Sequence, residues 1–199
     1  PVSTSIKDGL LASFSDESFV GRYLYSTYDT DRNGSRNIVT LLFPHDDTHA
    51  KAAMTRISAS EYTGASVALS RSVEDIALES AGTSVVTYKD VSFKAIAAWY
   101  RLEQGLLSSY FVRKGRALDD SSTARVGFEA LDDVSIYLDG TAGRIVSPDT
   151  LVTFYYPGIV GVFLSGSPLS NVSSGTDWVQ VRIPAGTHEI EFNTMPSLP

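Results

Sequence analysis

Along most of its length the sequence breaks into short runs rich in β-branched and aromatic residues. Gly, Asp, Asn and Ser interrupt them about every 8–12 residues, the rhythm of an antiparallel sandwich. The runs fall at 65–69, 76–79, 85–88, 91–100, 106–113, 125–128, 134–138, 143–146, 151–156, 160–164, 178–183 and 188–192. Earlier runs at 19–28 and 37–43 fit the same reading, the second closed by Pro44. No helix-length connection separates the runs, which disfavours parallel βαβ folds. In 91–100, Val91, Phe93, Ala95 and Ala97 alternate with Ser92, Lys94 and Ala98, the period-2 pattern of a strand with one buried face.

Two loops read as hairpins. Asp139-Gly140 precedes Gly143, and Ala185-Gly186-Thr187 joins the last two runs. The stretch 165–175, rich in Ser and Gly, reads as a loop. One short helix is compatible with 46–57, where Asp47 or Thr48 would cap it; the same stretch also reads as a loop entering a strand at 54–58. The expected fold is therefore all-β: an antiparallel two-sheet β-sandwich with at most one short helix. It is expected to form a single domain over 1–199, excised from or appended to a larger protein.

Composition removes several classes of function. There are no cysteines, so disulfide scaffolds, iron–sulfur clusters, cysteine–zinc sites and cysteine nucleophiles drop out. No apolar run approaches the roughly 20 residues of a membrane helix, and no membrane partner is expected. A net charge of −7 without a basic patch gives nucleic-acid binding little electrostatic support. No Gly-x-Ser-x-Gly elbow, phosphate loop or dinucleotide fingerprint occurs.

Three groups of residues could carry chemistry. His45 and His49 flank Asp46 and Asp47 at the end of a strand run, where a histidine could act as a base or the pair could hold a metal. His188, beside Glu189, reads as an ordinary half-exposed strand histidine. Asp29, Asp31, Asn33 and Gly34 match the first half of a calcium loop, so Ca2+ is a candidate cofactor; Thr40 stands where the bidentate acid belongs, and the segment equally fits a polar turn. Trp99, Tyr100, Arg101, Tyr110 and Arg113 group rings and guanidinium forks on two neighbouring runs, side chains suited to sugar rings and to carboxylate or sulfate groups. Tyr155-Tyr156 is a second aromatic group; any one of these rings could instead fill the core.

The stretch 37–57 (NIVTLLFPHDDTHAKAAMTRI), followed by 91–113 with its Trp-Tyr-Arg and by 134–164, resembles the C-terminal β-sandwich domain of heparinase II/III-like polysaccharide lyases. The resemblance implies a two-part enzyme whose (α/α) toroid, absent here, carries the cleft and a tyrosine acting as acid and base. The β-domain closes over that cleft and can contribute a histidine, a role that only His45, or less readily His49, could match. The implied reaction is β-elimination at a uronic acid, in which a base takes the C5 proton and the 4-linked oxygen leaves. The expected role is an accessory domain that binds or shapes a carbohydrate cleft, secreted or periplasmic, partnered by a polysaccharide or by a catalytic domain on the same chain, and not a competent lyase alone. A stand-alone carbohydrate-binding module needs a linear row of exposed aromatics on one sheet face. A capsid- or tail-type structural subunit would share the strand rhythm and self-associate through apolar surface.

Overall fold

The computed structural model describes residues 2–12, 18–28, 53–120 and 125–195. It divides into two compact units, Pro1–Ile38 and Val39–Pro199. In the first, β1 (Val2–Ala12) and β2 (Ser18–Tyr28) pair as an antiparallel hairpin, with Val2 opposite Tyr28 and Ala12 opposite Ser18.

The second unit is all-β and antiparallel, with no helix among the described residues. Its strands open with β3 (Ala53–Ser58), β4 (Tyr62–Ala68), β5 (Val73–Ser80) and β6 (Val86–Tyr88). Three long strands follow: β7 (Val91–Glu103), β8 (Leu106–Asp120) and β9 (Val126–Asp139). Next come β10 (Ala142–Ser147), β11 (Thr150–Tyr155), β12 (Ile159–Leu164) and β13 (Ser167–Pro168). The chain closes with β14 (Asn171–Gly175), β15 (Trp178–Ile183) and β16 (Gly186–Thr194).

All these strands share one hydrogen-bonded network, and the registers show how it doubles into two layers. The second half of β9 pairs β10, and its first half pairs β11. The first half of β7 pairs β6, and its second half pairs β5. The front sheet thus runs β13-β12-β16-β10-β9-β8-β7-β5-β4-β3, and the back sheet runs β14-β15-β11-β9-β8-β7-β6. The three long strands belong to both sheets and turn the corner between them, as strands do in sandwiches whose sheets exchange strands at bulges.

The corner is written into the burial pattern. Along β7, Ala95 faces in, Ile96 and Ala97 are half-buried, and Ala98 faces in again, so the alternation slips by one residue. This corrects the regular alternation expected over 91–100: Ala98, not Ala97, joins the core beyond the bend. The β7–β8 register shifts at Lys94/Ala95, and the β8–β9 register shifts on both sides of Gly115. In β9 the bend falls at Leu131–Asp133, where three consecutive residues are exposed. That exposed break in the alternation is why the sequence shows two runs, 125–128 and 134–138, where one strand passes through. Arg116 bridges to Asp133 at 2.7 Å across the bend.

The core lies between the layers. Tyr100, Tyr110, Ile136 and Ile145 from the front meet Phe93, Phe128, Phe154 and Ile183 from the back, all fully buried. Tyr110 stacks on Phe128 at 6.1 Å between centroids, and Phe154 meets Phe192 at 5.1 Å. Truncating such a ring to alanine typically costs about 3–5 kcal/mol.

Two loop readings change. The turn after Asp139 is the expected hairpin, with Asp139 opposite Ala142. The Ala185-Gly186-Thr187 segment is not a hairpin, because β15 pairs β11 and β14 while β16 pairs β10 and β12. It carries the chain from one sheet to the other, and the Pro184 carbonyl accepts from Ser147 Oγ (3.3 Å) and lies 3.1 Å from His188 Nε2. The stretch 165–175 also carries structure, holding β13 and β14, both exposed throughout. Of the segment 46–57, the described part is strand β3.

Candidate functional site

The outward face of the front sheet presents a cross-strand row. Ala77 lies opposite Trp99, Trp99 opposite Phe111, and Phe111 opposite Tyr137. Tyr137 in turn lies opposite Arg144, and Arg144 opposite Glu189. Three aromatic side chains therefore stand side by side on β7, β8 and β9. Phe111 is 38% exposed and Tyr137 42% exposed, while Trp99 is half-buried. Alternation enforces this: Tyr100, Tyr110, Val112, Ile136 and Leu138 fill the core, so the residues between them must face out. Adjacent strands lie about 4.8 Å apart, so the backbone positions that carry the three rings recur at about that interval across the face.

A second row runs beside the first. Asp75 lies opposite Arg101, Arg101 opposite Ser109, Ser109 opposite Asp139, Asp139 opposite Ala142, and Ala142 opposite Glu191. Asp75 takes the Arg101 fork in both arms, with Nε to Oδ1 at 2.7 Å and Nη2 to Oδ2 at 2.9 Å. That hydrogen bond raises the Arg101 pKa above its ordinary value. The guanidinium also lies 5.7 Å from the Trp99 ring centroid, within cation–π range. Ser109 Oγ donates to Asp139 Oδ1 at 2.6 Å. Arg144 donates to Glu189 Oε1 from Nε (2.9 Å) and Nη2 (2.6 Å).

At the Tyr137 end the face dips into a shallow concavity of about 750 Å³, lined by Tyr137, Asp139, Arg144, Phe163, Glu189 and Glu191 among others. Gly143 in β10 also lines it. A Cβ there would land on the Tyr137 carbonyl oxygen, so only glycine lets β10 pack against the strand that carries Tyr137.

The residues expected to contact sugar separate into two groups. Trp99 and Arg101 share the outer face, and Arg113 is exposed on the same side. Tyr100 and Tyr110 point into the core at 0% and 1% exposure, where no ligand reaches them. Tyr100 Oη donates to the Tyr88 carbonyl at 3.1 Å. Phe111 and Tyr137 complete the row and were not among the expected residues, although strand parity points to both. Of the second aromatic group, Tyr156 packs on Phe192 at 5.6 Å between centroids. Tyr155 carries the Arg125 guanidinium 3.4 Å from its ring centroid, and Arg125 is tied to Asp119 and Glu129 at 2.7 Å each. The candidate base His45, its neighbour His49, and the candidate calcium ligands Asp29, Asp31 and Asn33 lie outside the described residues.

No protein-family profile matches the chain, and no curated protein matches it.

Proposed function

We propose that this chain is a carbohydrate-binding β-sandwich whose contact surface is the outward face of the front sheet, with sugar rings stacking along Trp99, Phe111 and Tyr137. The observation that carries the reading is the aromatic row on three adjacent strands, held in register by ladder hydrogen bonds. Apolar faces of sugar rings pack on aromatic side chains, while polar groups beside the rings fix orientation. Asp75, Arg101, Asp139, Arg144 and Glu189 supply such groups. The resemblance to lyase β-domains extends the proposal. The face would then work beside a catalytic domain of a polysaccharide-degrading enzyme, outside the cell or in the periplasm where such polymers are met.

Affinity electrophoresis of the 199-residue chain through gels containing neutral or uronate polysaccharides tests the reading. The chain should be retarded by at least one class. Trp99→Ala, Phe111→Ala and Tyr137→Ala should each weaken retention about tenfold, or about 1.4 kcal/mol, with the fold intact by circular dichroism. A chain that ignores every polysaccharide and self-associates in sedimentation would instead be a structural subunit.

A further inference from the structure

The charges around the concavity bear on which glycans the face accepts, an inference that rests on the carbohydrate reading above. Tyr137 and Phe163 give the concavity aromatic surface, and three carboxylates, Asp139, Glu189 and Glu191, line it against one guanidinium, Arg144. Arg144 is already engaged by Glu189 through two nitrogens. The nearest other guanidinium in the second row, Arg101, has its fork filled by Asp75. Asp139 and Glu191 form no salt bridge among the described residues. Arg113, exposed and likewise without a salt bridge there, pairs with Ala97 on the far side of the aromatic row from both.

An ionised carboxylate accepts hydrogen bonds and donates none. A uronate or sulfate entering this concavity would meet three carboxylates against a single guanidinium already paired with one of them, whereas a sugar hydroxyl would find acceptors. We infer that the concavity takes a glycan free of acidic groups, its hydroxyls donating to Asp139 and Glu191 while a sugar ring lies against Tyr137. The chain's net charge of −7 acts in the same direction at longer range.

Calorimetric titration with neutral hexasaccharides of glucose, mannose and xylose, beside galacturonate and guluronate oligomers of the same length, tests this at low and high salt. At low salt the best neutral oligomer should bind at least tenfold tighter than either uronate, and high salt should narrow the gap by relieving the repulsion. Asp139→Asn with Glu191→Gln should weaken neutral binding about tenfold and bring the uronates closer to it. Glu191→Gln alone, which leaves the Ser109–Asp139 hydrogen bond intact, should show part of the same shift. Uronates binding as tightly as neutral oligomers, or neutral binding unchanged in the double variant, overturns the inference and leaves the aromatic-row reading standing. No binding by any oligomer overturns both.

Discussion

The backbone N–H of Leu107 donates to the side-chain carboxylate of Asp120 at 3.1 Å, although the two residues stand near opposite ends of the same strand. Thirteen residues of straight strand would separate them by about 43 Å. The bond therefore records how sharply β8 folds between the sheets, and Asp120 is 2% exposed. Asp120→Ala should cost about 1–3 kcal/mol, because it strands a buried amide. Urea unfolding midpoints of the two proteins would measure it, and an unchanged midpoint would mean that the corner does not depend on this bond.

The two core tyrosines should respond oppositely to loss of their hydroxyls. Tyr110 Oη is buried with no hydrogen-bond partner among the described residues, so Tyr110→Phe should leave stability unchanged or raise it by up to about 1 kcal/mol. Tyr100 Oη holds the Tyr88 carbonyl, so Tyr100→Phe should lower stability by about 1 kcal/mol. Thermal unfolding of both variants separates the outcomes; equal losses would place an unseen partner at Tyr110.

Alkaline pH should unfold the chain rather than titrate these rings in place. Burial raises the pKa of both Tyr100 and Tyr110 well above the ordinary tyrosine value, and nearby Tyr88 and Glu74 raise Tyr100 further. Their folded pKa values exceed the unfolded value of about 10. The stability they contribute is fully present below pH of about 10 and is lost as pH rises beyond it. In a tyrosinate absorbance titration, at least two of the ten tyrosines should ionise only together with the loss of β-sheet circular dichroism. Smooth ionisation of all ten while the sheet signal persists would contradict the burial.

Gly143→Ala should separate the site from the core. The added methyl would collide with the Tyr137 carbonyl, forcing β10 away from β9 beneath the aromatic row. Stability should fall by about 1–3 kcal/mol, and saccharide retention should fall by more than in a variant of equal stability loss in the back sheet, such as Val179→Ala. Equal retention in the two would show that the face tolerates displacement of Tyr137.

Strand existence is legible here because most strands bury one face, and alternation exposes them: Trp178–Ile183 is bounded in the structure as it reads in the sequence. The corner strands are harder. The bend in β9 exposes three residues in a row, and Leu131-Asp132-Asp133 looks in sequence like the end of one strand and the start of another. The candidate site was half legible for a related reason. Trp99, Tyr100 and Arg101 are consecutive, so they cannot all share a face of a pleated strand. Composition groups them, while parity sends Tyr100 inward. The same parity brings Phe111 out beside Tyr110 and Tyr137 out between Ile136 and Leu138. Which neighbours stand beside Trp99 depends on the pairing register, a long-range property that no local pattern encodes.

Adjacent strands in a sheet rotate by about 20–25° relative to one another. The row from Trp99 through Phe111 to Tyr137 crosses two such steps, so its first and last positions are turned by roughly 45°. The platform is a staircase rather than a floor. A single polymer chain winding in solution can follow every step, whereas the planar facet of a crystalline fibre can rest on only one.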